Sequence, residues 1–125
     1  MPFYRGIENC GFRCRIKYTV PLIFERGAFM KENQFQAMLI KTLKKRFEGC
    51  IVLKLDSAYI QGIPDLLILY KNKWATLECK KSAVSAVRPN QKYYVNLMNT
   101  MSFSRFICPE NMEVVLNELQ QSFET

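Results

Sequence analysis

The stretch Gly62-Ile63-Pro64-Asp65-Leu66-Leu67-Ile68-Leu69-Tyr70-Lys71-Asn72-Lys73-Trp74-Ala75-Thr76-Leu77-Glu78-Cys79-Lys80 reads as a β-hairpin. Leu66 to Tyr70 is an apolar run of strand length, Asn72 sits in a short polar turn, and residues 74–80 form a second strand. Side chains alternate faces along a strand, so Trp74, Thr76, Glu78 and Lys80 share one side while Ala75, Leu77 and Cys79 take the other. Antiparallel pairing through the turn brings position 65 opposite positions 78 to 80. Asp65, Glu78 and Lys80 therefore converge at one end of the hairpin.

Two carboxylates beside an ammonium suit a hard divalent cation such as Mg²⁺ or Mn²⁺, which takes oxygen ligands, keeps waters and engages substrate phosphate. Such a cation polarises a phosphoryl oxygen and acidifies a bound water. A lysine at its side can orient that water. The plain alternative is a surface ion pair at a strand end.

Pro64-Asp65, twelve intervening residues and Glu78-Cys79-Lys80 resemble the PD-(D/E)xK signature of the restriction-endonuclease-like nucleases. With Glu32, Gln36 and Gln91, residues 31–108 resemble the VRR-NUC branch, which includes small stand-alone phage and bacterial nucleases. The resemblance implies an α/β fold with an αβββαβ core and a metal-dependent DNA endonuclease leaving 5′-phosphate and 3′-hydroxyl ends. It implies metal ligation by Asp65, Glu78, Glu32 and the Cys79 backbone carbonyl, water positioning by Lys80, and a role for Gln91 in fixing the scissile phosphate or water. It also implies a homodimer acting on branched DNA such as four-way junctions or flaps, in a phage or bacterial setting.

The chain of 125 residues is long enough for one domain with a real core. Residues 1–30 read as an N-terminal arm, 31–108 as the catalytic core and 109–125 as a C-terminal helix. Eighteen basic and 11 acidic residues give a net charge of +7, which suits a polyanion such as DNA or an anionic surface. No bilayer-spanning apolar run and no signal peptide is present, so a cytoplasmic setting without membrane attachment is expected.

The chain has no histidine, which removes serine and cysteine hydrolases of the usual triad type and histidine-based nucleases. No phosphate-binding glycine loop appears, so no nucleotide cofactor is expected. Five cysteines without a targeting signal are read as reduced thiols. Cys10 and Cys14 are spaced like half a zinc site, but no second close pair exists.

In the arm, Arg13, Arg15 and Lys17 alternate with Cys14, Ile16 and Tyr18. This is a strand pattern with one basic face, read as a charge-protected edge strand, a DNA-contacting arm or a dimer-exchanged arm. Residues 31–48 read as a helix with Phe35, Met38, Leu39, Thr42, Leu43 and Phe47 on one stripe. Glu32 lies on its inward side. It serves either the helix dipole or, as the resemblance suggests, the metal, with Gln36 four residues on sharing its face.

A strand is expected over 50–55 and a loop over 56–61, where Tyr59 and Gln61 are candidate substrate contacts. Gly62 would let backbone approach a phosphate or metal closely. Residues 81–88 read as a linker. Pro89 opens a helix whose expected apolar stripe is Tyr94, Leu97, Met98 and Met101. Gln91 in its first turn is either an ordinary polar residue or the resembled family's glutamine. Lys81, Arg88 and Lys92 supply charge for DNA phosphates at a helix N-terminus that attracts them. A strand over 103–108 and a helix over 111–123, with Met112, Val115, Leu116, Leu119 and Phe123 inward, complete a mixed sheet flanked by helices on both faces. The competing reading is a non-catalytic nucleic-acid-binding module, or a basic protein that binds an acidic partner.

Overall fold

A computed structural model describes residues 30–125. The N-terminal arm, including the expected basic strand and the Cys10–Cys14 pair, lies outside the described residues.

The described chain runs α1 (Glu32–Arg46), β1 (Ile51–Lys54), β2 (Leu66–Tyr70), β3 (Lys73–Cys79), α2 (Pro89–Met101), β4 (Phe103–Ile107) and α3 (Met112–Glu124). The four strands form one sheet in that order. β1, β2 and β3 pair antiparallel, and β4 joins β3 in parallel. A parallel neighbour needs a crossover, and α2 supplies it. The hairpin turns on two residues, with Lys71 in the left-handed region at φ 57°.

One face of the sheet carries Leu66, Ile68, Ala75, Leu77, Cys79, Phe103 and Ile107, all buried. Against it lie Phe35, Leu39 and Leu43 of α1, spaced one helical turn apart. Beside them are Met112, Val115, Leu116, Leu119 and Phe123 of α3. Each such side chain contributes roughly 1.5–3 kcal/mol by leaving water. Phe47, Tyr70 and Phe123 close one end of this core, with ring centroids 5.2 to 5.5 Å apart. Arg46 ties the end of α1 to α3 through Gln120 at 2.9 Å and through Asn117.

The opposite face is polar where α2 covers it. Thr76 Oγ1 donates to Ser104 Oγ at 2.8 Å beneath Met98. Here the expected stripe is corrected. Val95 is the buried residue of α2, Tyr94, Leu97 and Met98 are half-buried, and Met101 is 63% exposed. Among the described residues the helix packs mainly on β3 and β4, so a narrow stripe suffices, and Met101 in its last turn is left exposed. The element ends also differ by a residue or two from the sequence pattern. α1 stops at Arg46 because Gly49, at φ +90°, turns the chain into β1. Among the described residues no helix is long and apolar enough to cross a membrane.

Candidate active site

The hairpin register continues past its last pair, Leu66 with Leu77, and so sets Asp65 against Glu78. Leu55 N donates to Asp65 O at 2.8 Å, which holds Asp65 at the end of the β1–β2 ladder. The Asp65 carboxylate accepts the Cys79 amide hydrogen at 2.9 Å and so closes the end of the hairpin with a side chain.

Glu78 points to the α2 face, where it is 2% exposed. Gln91, at the start of α2, reads this face from above. Its Nε2 donates to Glu78 Oε2 at 2.8 Å, and its Oε1 accepts from Lys80 Nζ at 2.8 Å and from the Arg88 amide at 3.1 Å. Gln91 thus caps the helix and bridges the acid to the lysine with one amide group. Lys80 Nζ also donates to Ala86 O at 2.9 Å and stands 4.0 Å from Glu78 Oε2. The second carboxylate oxygen, Glu78 Oε1, is buried and has no hydrogen-bond partner among the described residues. A buried acceptor left this way costs free energy unless something binds it.

The electrostatics follow from this crowding. Burial pushes the Glu78 carboxyl up to about 7, the nearby Asp65 and Glu32 charges push the same way, and Lys80 opposes them. Burial also raises Asp65, against the Cys79 amide and Lys80.

These groups line a cleft of about 920 Å³ that also takes in Glu32, Gln61, Gly62, Arg88 and Asn90. Glu32 is exposed at the N-terminus of α1 and comes to this cleft from the core side of the sheet. Several expected contacts lie elsewhere. Gln36 is half-buried beside the Cys79 thiol, while Lys81 and Lys92 are exposed and do not line the cleft. The Cys79 thiol itself faces the core. Among the described residues, no three His, Cys, Asp or Glu side chains gather closely enough to cage a metal by themselves.

Asn90 was not singled out by the sequence, and the signal for it was Gly62. Gly62 has φ +93°, and a Cβ placed there would meet Asn90 Cβ at 2.4 Å and Asn90 C at 2.8 Å. The sequence suggested that Gly62 lets backbone approach a phosphate or metal; the close approach the structure shows at this glycine is to the first turn of α2. Gly62→Ala is expected to lower stability by about 1–3 kcal/mol, through the left-handed backbone and the displaced helix start. Thermal unfolding beside the wild type checks this.

No protein-family model matches the chain, and no curated protein matches it. Among solved structures, one described as a "VRR_NUC domain" aligns with a TM-score of 0.51 at 23% identity, over 65% of this chain and 92% of that one. The described residues thus have a VRR_NUC-like α/β fold.

Proposed function

We propose that the protein is a metal-dependent deoxyribonuclease whose centre is Asp65, Glu78, Lys80 and Gln91. The observation that carries this is Glu78 Oε1, a buried acceptor with no partner among the described residues, beside a second carboxylate and a clamped lysine. A divalent cation held by Asp65 and Glu78 would engage that oxygen and offset the burial that raises both carboxyls and the repulsion from Asp65 that adds to it at Glu78. Mg²⁺ usually binds through one or two carboxylates and completes its shell with water and phosphate, so a caged site of three side chains is not required. Glu32 at the cleft rim and the Cys79 carbonyl are the further oxygen donors the resemblance offers. When bound, the cation supplies a polarised phosphoryl oxygen and an acidified water.

The protein's own groups then have separable tasks. Asp65 and Glu78 carry the negative charge that recruits the cation. Lys80, held by Gln91 and Ala86, places a fixed positive charge where negative charge grows on the phosphoryl group. Gln91 keeps Lys80 and Glu78 at constant separation, and Arg88 and Gln61 offer phosphate contacts along the cleft. Lys80→Ala is expected to slow cleavage about a hundredfold while DNA affinity changes only severalfold, measured by single-turnover cleavage and by binding without divalent cations.

Branched DNA and a homodimer extend this proposal. A two-fold dimer presents two equivalent clefts, as paired cuts across a junction require. Ile51, Leu53 and Leu69, at 55, 43 and 36% exposure, form an apolar patch on β1 and β2 of the kind that marks contact surfaces. A phage-infected or bacterial cytoplasm is the setting this reading implies. The test incubates purified protein with a labelled four-way junction, a flap, linear duplex and single strands, each with Mg²⁺, Mn²⁺ or EDTA. Cation-dependent cutting is expected. Binding without cutting in every condition would replace the nuclease by a non-catalytic nucleic-acid-binding module.

A further inference from the structure

Two loops that line the cleft hold large apolar side chains out into solvent. The first runs from Asp56 to Ile63. Asp56 O accepts from the Tyr59 amide at 3.0 Å and the Ile60 amide at 3.3 Å, and Asp56 Oδ1 accepts from the Ala58 amide at 2.8 Å. Ile63 N donates to Ile60 O at 3.2 Å, and Gly62 abuts Asn90. The backbone at Tyr59 is thus fixed on both sides, yet the residue is 85% exposed. Its neighbours Ala58 and Gln61 line the cleft.

The second loop joins Lys80 to α2. Ser82 and Ser85 pin its turn: Ser85 N donates to Ser82 O at 3.2 Å, and Ser82 N donates to Ser85 Oγ at 3.2 Å. The turn presents Val84 at 91% exposure and Val87 at 45%. Its Ala86 lines the cleft and accepts from Lys80.

An uninterrupted duplex offers a cleft only phosphates, sugars and groove edges, because its base faces are covered by their neighbours. Tyr59 does not itself line the cleft, but an aromatic ring carried on rigid backbone between the lining residues Ala58 and Gln61 has nothing to stack on in such a duplex. It matches the open face of a base that has lost a neighbour, at a branch point, a flap or a single-stranded end. The aliphatic tips on the other loop suit a place beside such a step, since apolar side chains wedge against unstacked bases. Because the backbone is already ordered, little conformational entropy is lost on stacking.

We propose that Tyr59 is a specificity residue that stacks on an unstacked base flanking the scissile phosphate, with Val84 and Val87 packing beside that step. This rests on the nuclease reading and adds to it the chemical feature the cleft selects. The test measures binding in EDTA, so cleavage does not enter. Wild-type protein, Tyr59→Ala and Tyr59→Phe are titrated onto a flap with 2-aminopurine at the branch, and onto a fully paired duplex of the same sequence. The wild type and Tyr59→Phe are expected to quench the 2-aminopurine, and Tyr59→Ala to leave it bright. Affinity for the flap is expected to fall about tenfold in Tyr59→Ala, with duplex affinity unchanged in all three. Equal weakening on flap and duplex, or no weakening on the flap, overturns the stacking role and leaves the nuclease reading intact. A wild type that binds neither DNA overturns both, and would make these loops a surface for an apolar partner protein.

Discussion

Asp65→Asn is expected to slow strand cleavage by at least about a thousandfold, with little change in melting temperature or in DNA affinity measured without divalent cations. The substitution keeps the shape of the side chain. The Asn oxygen can still accept the Cys79 amide hydrogen that the Asp65 carboxylate accepts at 2.9 Å, so the end of the hairpin stays closed. What is removed is one of the two negative charges facing each other across the β2–β3 ladder. Half of the charge that would hold a cation disappears, while Lys80 and Gln91 stay in place. Asp65 is also one of the charges that pushes the Glu78 carboxyl up, so in the variant Glu78 ionises more readily, although its burial still holds it above the usual carboxylate range. A rate within tenfold of wild type, in single-turnover assays with saturating Mg²⁺, would remove Asp65 from the chemistry.

The second large effect is on stability. The Glu78 carboxyl is raised from 4.5 to about 7 by burial and by its acidic neighbours. A group whose folded value lies above its unfolded one favours folding below the unfolded value and loses that contribution as pH rises through the folded one. Without divalent cations, stability is therefore expected to fall between about pH 4.5 and pH 7, by as much as about 3 kcal/mol from Glu78. Asp65, raised in the same direction, adds to the slope. Glu78→Gln cannot ionise and should flatten most of it, gaining stability over wild type at pH 8 while losing cleavage. Mg²⁺ should recover more stability at pH 8 than at pH 5, because only the ionised pair attracts it. Urea unfolding at stepped pH, with EDTA or Mg²⁺, reads all of this. A wild-type profile as flat as that of Glu78→Gln would mean that the buried carboxylate carries no such strain.

Much of the architecture was legible because it is written in local patterns. Leu66 to Tyr70 and the alternation from Trp74 to Cys79 mark a hairpin and bring Asp65 near positions 78 to 80. The two-residue turn of the structure then selects the register that sets Asp65 against Glu78. The α1 and α3 stripes are equally plain, since Phe35, Leu39 and Leu43, or Met112, Val115, Leu116 and Leu119, recur with the helical period. The α2 stripe misled because hydropathy marks which side chains are apolar, while the number of strands beneath the helix decides which are covered.

The cleft was less legible. Charge identified Lys81 and Lys92 as candidates, but only tertiary placement separates them from Arg88, which lines the cleft. Gln36 shares a helical face with Glu32, yet it sits at the Cys79 thiol while Glu32 reaches the cleft. One turn of helix is enough to carry a side chain past the end of the sheet. Gly62 signalled a close approach, and nothing in the sequence could name Asn90 as the partner.

The contact from Lys80 Nζ to Ala86 O pinches the chain between those two residues into a closed ring. Its base is tied to Lys80, and its tip is free to vary. Closing a longer ring of this kind costs little, about 0.6 kcal/mol for each doubling in length. The segment from Lys81 to Ser85 is thus a cassette in which insertions and substitutions can accumulate without moving Lys80 or Gln91. A fold with such a cassette can change what its cleft contacts without disturbing the groups at its base, and relatives would be expected to diverge first at this loop.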